Sequence, residues 1–181
     1  MNVTISGNTT LTGFDDGSHY IIVYANDTAG NMGASNTVYF TVDTNPPNII
    51  DISQIPLMSN VLPEDEVKVN ATVTDNLSRV KQVLLNYTYT NSSGTWNKVV
   101  TMTNLQGNIW NATIPSFPCG TNVTYIIIAI DSANNTITSE DLGYVCKYYV
   151  IPEFPSFLIL LLFMLATLPA VMIYRRKQCA R

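Results

Sequence analysis

Oxygen-bearing side chains near a predicted domain junction are the residues best suited to bind a metal ion. Asp75 and Asp131 each come directly after a predicted strand, and the two loops that hold them lie at the same end of a β-sandwich. Ca²⁺ takes about six to eight oxygen ligands, so oxygens that meet there form a candidate Ca²⁺ site. Aspartate in a loop more commonly forms a turn, which is the competing interpretation. The candidate ligands are Asp15, Asp16, Asp43, Asn45, Asp75 and Asp131.

Two cysteines, Cys119 and Cys146, are candidates for a covalent cross-link. We predict both to lie outside the cell, where disulfides persist. A bridge would contribute about 3 kcal/mol to the free energy of unfolding. The alternative is two separate thiols, because adjacent strands can hold the Cα atoms further apart than the roughly 7 Å that a disulfide spans.

Residues suited to catalysis are few. His19 is the single histidine, and its place beside Ser18 at the entry of a predicted strand indicates a surface residue. The acidic run of Glu64, Asp65 and Glu66 precedes a predicted strand, where charge discourages pairing of exposed sheet edges. A carboxylate pair brought together only by the fold is the remaining catalytic alternative. We therefore predict no enzyme activity and no cofactor, with Ca²⁺ as the one candidate ion.

The charge balance argues against nucleic acid as a partner. Nine basic residues face thirteen acidic ones, which gives a formal charge of −4. A nucleic-acid binder needs a basic face to neutralise phosphates. Only 12% of the residues are charged although 46% are apolar, whereas about 25% is usual for charged residues.

Asparagines followed at the second position by Ser or Thr are candidate N-glycosylation sites. Strands that alternate Asn and Thr outward produce the same pattern by chance, so the number of sites alone is not decisive. Asn70 and Asn86 fall inside predicted strands and are the weakest acceptors. The predicted acceptors are Asn2, Asn8, Asn26, Asn70, Asn76, Asn86, Asn91, Asn111, Asn122 and Asn134.

The elements that must position these residues are predicted to be β-strands. Residues 67–74 alternate strictly between apolar and polar types, which places Val67, Val69, Ala71 and Val73 on an inner face. Seven such segments separated by turns predict an all-β sandwich over residues 48–150. The predicted strands are 48–55, 67–74, 80–90, 96–102, 110–114, 123–130 and 144–150.

A repeat links this unit to the N-terminal region. Residues 14–31 carry FDDG followed by YIIVYANDTAGN, and residues 117–135 carry FPCG followed by TYIIIAIDSANN. The offset of about 100 residues matches the size of a sandwich domain. Gly17 and Gly120 permit the positive φ of the turn that precedes each strand.

The first copy is predicted to be a partial unit over residues 1–43. Its predicted strands, at 3–5, around Leu11, at 20–25 and at 38–42, make up about half a sandwich. We expect further repeats before Met1 in a longer exported protein. Pro46 and Pro47 stiffen the linker 44–47.

The C-terminal region predicts a membrane anchor. Residues 157–174 contain no charge, and as a helix they extend about 27 Å, against roughly 30 Å for a bilayer core. A buried core helix is the alternative, but the segment lacks an amphipathic period. Arg175, Arg176 and Lys177 begin a basic tail, 175–181, which the positive-inside rule places in the cytoplasm. Residues 151–156 form the juxtamembrane segment.

Residues 80–135 resemble the fibronectin type III and immunoglobulin-like repeats of archaeal and bacterial surface proteins. The resemblance implies one complete and one partial β-sandwich of that kind and no active site. It is carried by Leu85, Asn86, Tyr87, Trp96, Met102, residues 110–115, Gly120, Thr121, Tyr125, Ala129, Asp131 and Ala133.

Pro152, Glu153 and Phe154, with the apolar span and the basic residues after it, resemble a PEF-type C-terminal sorting signal of archaeal proteins. In that family an archaeosortase, a membrane protease-transpeptidase, cuts near the motif and re-anchors the protein. The resemblance implies such an enzyme as a partner and a span that is removed on processing. The tail, which ends at Arg181, is somewhat longer than is usual for that family.

These features predict a non-catalytic cell-surface glycoprotein module, anchored in the lipid bilayer, that acts as a structural stalk or adhesion spacer. One alternative is a binding module with a Ca²⁺-rigidified hinge. Another is the anchoring region of a surface enzyme whose catalytic domain lies upstream. The extracellular partner is expected to be a surface layer, another protein or a glycan.

Overall fold

The computed structural model describes residues 3–153, and strands are the regular structure of this part of the chain. This confirms the predicted all-β fold. In chain order the strands are β1 (Gly17–Ile21), β2 (Tyr24–Asn26), β3 (Met32–Ala34), β4 (Val38–Val42), β5 (Asn48–Ile55), β6 (Val67–Thr74), β7 (Val80–Asn91), β8 (Gly94–Thr101), β9 (Thr103–Gln106), β10 (Ile109–Ile114), β11 (Asn122–Asp131), β12 (Thr136–Thr138) and β13 (Cys146–Tyr149).

Two antiparallel sheets build the region after the linker. One has the order β5-β6-β10-β9. The other has the order β12-β11-β7-β8, and β13 pairs with β11 on the same side as β12. Buried residues of both sheets form a single hydrophobic cluster. The arrangement is consistent with the predicted β-sandwich, in which two sheets bury their inner faces against each other.

The core follows the period-two pattern of the sequence. The inward row of β6, which begins with Val67 and Val69, is completely buried or nearly so. Val83 and Leu85 of β7 and Ile127 of β11 face it from the other sheet and are also fully buried. The strands β5 and β6 form over the predicted residues, whereas the short strands β9 and β12 form in intervals between predicted strands.

The expectation that residues 104–108, between the predicted strands 96–102 and 110–114, form only a turn is wrong. Residues Thr103–Gln106 form β9, which pairs with β10, and the turn shrinks to Gly107 and Asn108. Gly107 adopts a φ of 58°, which glycine reaches at little steric cost. The Asn104 side chain closes the turn by donating to the Gly107 carbonyl at 2.9 Å.

The first unit forms two short antiparallel ladders, β1 with β4 and β2 with β3. The strand predicted at 20–25 is interrupted at Ile22 and Val23, and the strands predicted at 3–5 and around Leu11 do not form. None of residues 3–42 is buried. Among the described residues β1 pairs with β4 alone, whereas β11 has β7 beside it along almost its whole length. A strand with a neighbour on one edge only has fewer hydrogen bonds and packing contacts to keep it continuous.

The two copies of the repeat nevertheless share local geometry beyond the matched letters. The Ser35 hydroxyl accepts from the Val23 amide at 2.9 Å, and the Ser139 hydroxyl accepts from the Ile127 amide at 3.1 Å. In both copies the serine amide returns a hydrogen bond of 2.8 Å to the same residue. The two matched segments therefore fold into the same local hydrogen-bonded arrangement.

Several predictions concern residues that the structure does not describe. Asn2, Phe154, the apolar segment 157–174 and the basic tail 175–181 lie outside residues 3–153. Within residues 3–153, no helix has the length and apolar character required to cross a membrane.

Candidate metal centre

Three carboxylates meet where the first unit joins the sandwich. Asp43 follows β4, Asp75 follows β6, and Asp131 is the last residue of β11. One oxygen from each side chain lies within 4.8 Å of the other two. The structure therefore brings together three of the six predicted ligands, from three separate parts of the chain.

Asp131 is completely buried and organises the loop that follows it. Its Oδ1 accepts from the Asn135 amide and its Oδ2 from the Asn135 side chain, each at 2.8 Å. Asp27 of the first copy makes the equivalent pair of contacts with Asn31, at 2.8 and 2.7 Å. The turn-forming role of this aspartate is therefore real, and it leaves lone pairs on both oxygens of Asp131.

Asp75 is half-buried and caps a tight turn. Its Oδ1 accepts from three successive amides, those of Leu77, Ser78 and Arg79, at 3.1, 2.8 and 2.7 Å. The turn ends with Arg79 at a φ of 73°. Because all three bonds go to one oxygen, Oδ2 remains available to a further partner.

Asp43 is the member of the cluster with an unsatisfied atom. The residue is 8% exposed, and its Oδ1 accepts from the Asn45 amide at 3.0 Å. Its Oδ2 is buried without a hydrogen-bond partner, and so is the hydroxyl of Ser78. Two buried oxygens without partners are unusual, because each is removed from water without gaining a hydrogen bond in the protein.

Ser78 lies close to Asp43 without completing a well-aligned hydrogen bond to it. The proximity of the Ser78 hydroxyl, with the amides of Asn45 and Ser78, lowers the pKa of the Asp43 carboxyl from its usual value and outweighs the opposing effect of burial. The carboxylate is therefore charged at neutral pH.

The linker is tied to both units by side chains. From the sandwich, Asn135 Nδ2 donates to the carbonyls of Asp43 and Asn45, at 2.9 and 3.2 Å. From the first unit, Asp16 accepts from the Thr44 amide at 2.9 Å and also from the Asn45 side chain. These contacts fix the Asp43 backbone, and with it the carboxylate, over the loops of the sandwich.

Three of the six predicted ligands do not join the cluster. Asp16 and the side chain of Asn45 bind each other and serve as a clasp on the linker. Asp15 is exposed, and its contact is made by its backbone carbonyl, which is 2.7 Å from His19 Nε2. A position in a loop near the junction does not distinguish the residues that hold the linker from the three carboxylates of the cluster.

Two residues of the site were missed by the sequence analysis. Asn135 belongs to the repeat motif, but the matched residue Asn31 contacts only its own loop, so the repeat gives no signal of the contact between Asn135 and the linker region. Ser78 carried no signal, since a lone serine in a turn is common.

The predicted disulfide is not formed, and Cys119 and Cys146 are free thiols. Cys146 pairs with Tyr125, and Tyr149 pairs with Asn122. The Gly120 amide, next to Cys119, donates to the Val150 carbonyl at 3.0 Å, and Val150 is four positions from Cys146, which corresponds to about 13 Å of extended strand. The two cysteines therefore lie far beyond the roughly 7 Å limit for Cα atoms in a disulfide.

The predicted glycan acceptors differ in accessibility. Asn8, Asn26, Asn76, Asn122 and Asn134 are exposed, and the other four described acceptors are half-buried. Asn111 and Asn70 are cross-strand partners whose side chains bind each other at 2.8 Å. Asn86 accepts from Asn97 at 2.7 Å. Pro152 and Glu153 of the predicted sorting motif are exposed.

The candidate catalytic groups have structural contacts. The His19 ring packs beside Phe14 and Phe40, with centroid distances of 5.0 and 5.5 Å. In the acidic run, Asp65 Oδ2 accepts from the Leu62 amide at 2.9 Å and closes a turn. Neither group is among the carboxylates of the cluster.

Comparison with models of known protein families gives no match, and comparison with curated proteins gives none either.

Proposed function

We propose that this chain is a non-catalytic module of a membrane-anchored cell-surface glycoprotein and that it serves as a stiff spacer. The observation that carries the proposal is the fixed junction between the two units. Asn135 holds the linker from the sandwich side, and Asp16 holds it from the other. A flexible Gly- and Ser-rich linker would make no such contacts.

The strand order supports the finer assignment to a fibronectin type III or immunoglobulin-like sandwich. The strands β5, β6 and β10 lie together in one sheet, and β7, β11 and β13 lie in the other. This division of consecutive strands between two sheets is the pattern of immunoglobulin-like domains. Such a fold carries many functions, so it favours no particular ligand.

The surface supports an extracellular location. Outward positions of the strands hold Asn and Thr in place of Lys and Glu, and five predicted glycan acceptors are exposed. The apolar segment 157–174 and the basic residues after it are the proposed anchor, with the bulk of the chain outside the cell. Processing by an archaeosortase-type enzyme near Pro152 is part of the same proposal.

Distance measurements between spin labels test the stiffness. Ser18→Cys in β1 and Lys98→Cys in β8 are introduced into the full chain with its native cysteines replaced by serine, and the protein is placed in lipid nanodiscs. Both positions are exposed. The proposal predicts one narrow distance distribution. A broad distribution, of the kind that a flexible linker produces, would overturn it.

Membrane anchoring is tested separately in cells that express the full chain. We expect the protein to resist extraction by alkaline carbonate and to be digested by a protease added outside intact cells. Mass spectrometry of the mature C-terminus shows whether the segment 157–181 has been removed. Recovery of the intact protein in the carbonate-soluble fraction would contradict the anchor.

A further inference from the structure

We propose that Asp43, Asp75 and Asp131 bind one Ca²⁺ ion that locks the first unit onto the sandwich. The inference deepens the proposed function and rests on it, because a spacer gains stiffness from such a lock. The ion would join two units through one carboxylate from the first and two from the second.

The spacing of the oxygens fits a single calcium ion. Three atoms no more than 4.8 Å apart all lie within about 2.8 Å of a common centre, close to the Ca–O distance of roughly 2.3–2.6 Å. Mg²⁺ requires about 2.0–2.1 Å and near-octahedral geometry, which three separate loops do not impose. The cluster contains neither histidine nor cysteine, the ligands that favour zinc and copper.

A second, independent observation points to the ion. Asp43 Oδ2 is buried beside the cluster without a partner, in a residue that is 8% exposed. The neighbouring Ser78 hydroxyl is also buried and unpartnered. A cation between these atoms would satisfy both oxygens and offset the repulsion among three carboxylates.

Basic side chains nearby do not fulfil this role. The Lys81 ammonium donates to the side chain of Asn134 at 2.7 Å. Arg79 is exposed, and its backbone amide and carbonyl make its contacts with the loops, to Asp75 and to Ser132. Ca²⁺ would therefore be the positive charge that the cluster lacks.

Calorimetric titration and thermal unfolding of the full chain in nanodiscs test the proposal. CaCl₂ is titrated into protein that has first been treated with a chelator. We expect one site with a Kd of about 10⁻⁴ M, as in extracellular modules. At 10 mM CaCl₂ the melting temperature should rise by about 4 °C or more, and MgCl₂ should produce a clearly smaller rise.

The key variant is Asp43→Asn, which keeps the Oδ1 acceptor for the Asn45 amide and removes the charge. It should weaken Ca²⁺ binding at least tenfold and abolish the thermal shift. Without Ca²⁺ it should melt at or above the temperature of the unchanged protein, because one repelling charge is gone. Asp75→Asn is a second variant with the same expectation for binding.

Asp27→Asn is the matched control, because Asp27 occupies the position equivalent to Asp131 in the first copy and lies outside the cluster. It should keep the full response to Ca²⁺. No thermal shift in the unchanged protein, or equal binding by the Asp43→Asn variant, would overturn the proposed site.

The spin-label distances separate this inference from the proposed function. A narrow distance distribution without Ca²⁺ binding would support the stiff spacer and contradict the Ca²⁺ site. Binding of Ca²⁺ together with a broad distance distribution would support the Ca²⁺ site and contradict the stiff spacer.

Discussion

At the scale of single residues, hydrogen-bond partners decide which buried polar groups stabilise the sandwich. Tyr125 and Tyr148 both lie in the core, on the neighbouring strands β11 and β13. The Tyr125 hydroxyl donates to Gln54 Oε1 at 2.9 Å and so joins the two sheets. The Tyr148 hydroxyl is buried without a partner. The same residue type therefore has opposite energetic consequences at two nearby positions.

Substituting each tyrosine with phenylalanine tests this contrast. Tyr125→Phe should lower the free energy of unfolding by about 1–3 kcal/mol, because it leaves the buried Gln54 oxygen without its donor. Tyr148→Phe should leave the free energy unchanged or raise it by up to about 1 kcal/mol, because an unpaired hydroxyl is removed. Urea denaturation of the full chain in detergent, followed by tryptophan fluorescence, measures both. Equal destabilisation by the two substitutions would contradict the assignment.

At the scale of elements, the loop between β11 and β12 connects the sandwich to the linker. Asn135 holds this loop closed through Asp131 and donates from the same side-chain amide to the carbonyls of Asp43, at the end of the first unit, and of Asn45 in the linker. Asn31 closes the equivalent loop of the first copy by donating to Asp27. Asn135 and Asn31 therefore occupy matched positions of the repeat. Asn135 contacts the linker region, whereas Asn31 closes only its own loop.

Asn135→Ala should loosen the junction, because it removes the hydrogen bonds from the sandwich to the carbonyls of Asp43 and Asn45. We expect a broader distribution of spin-label distances and a loss of about 1–2 kcal/mol in the free energy of unfolding. Asn31→Ala is the matched control and should leave the distance distribution between the labelled units unchanged. If both variants broaden it alike, the contact of Asn135 with the linker is not what orders the junction.

At the scale of the whole molecule, the buried tyrosines make stability depend on alkaline pH. Burial raises the pKa of Tyr125 far above its usual 10.0, and nearby Cys146 and Tyr148 raise it further. Burial also raises the pKa of Tyr148, with a smaller effect from Tyr87. Above pH 10 the unfolded chain loses these protons while the folded chain keeps them. The unfolded state then binds fewer protons, so stability falls as pH rises.

Denaturation of the full chain between pH 8 and pH 11 checks this expectation. The free energy of unfolding should be nearly constant below about pH 9.5 and decline above pH 10, since the unfolded tyrosines ionise there. The Tyr148→Phe variant should show a shallower decline because one of these groups is absent. A stability that stays flat to pH 11 in the unchanged protein would refute the role of the buried hydroxyls.

The exposure of the acceptors predicts the pattern of glycosylation over the molecule. We expect full occupancy at exposed sites such as Asn76 and Asn134, and little at Asn111, whose side-chain nitrogen donates to Asn70 in the sheet. Glycopeptide mass spectrometry of protein from its native host measures the occupancy of each site. Substantial glycosylation of Asn111 would show that this part of β10 is accessible when the sugar is attached.

The sequence by itself determined the long strands of the sandwich and their inner faces, but not the short strands β9 and β12. The pattern around Val67 and Val83 sufficed, because burial of one face imposes a period of two on any strand. The duplicated aspartate loops were also readable, since Asp27 and Asp131 bind backbone groups a few residues away. Local contacts of this kind need no knowledge of the rest of the fold.

Only the tertiary structure decided which distant residues meet. Asp43 and Asp131 are separated by most of the sandwich in sequence, and their convergence depends on the linker path and on the ends of β6 and β11. The same register that brings them together keeps Cys119 and Cys146 apart. Residue types and spacing specify candidates for a metal ion or a disulfide, whereas strand pairing sets the distances that select among them.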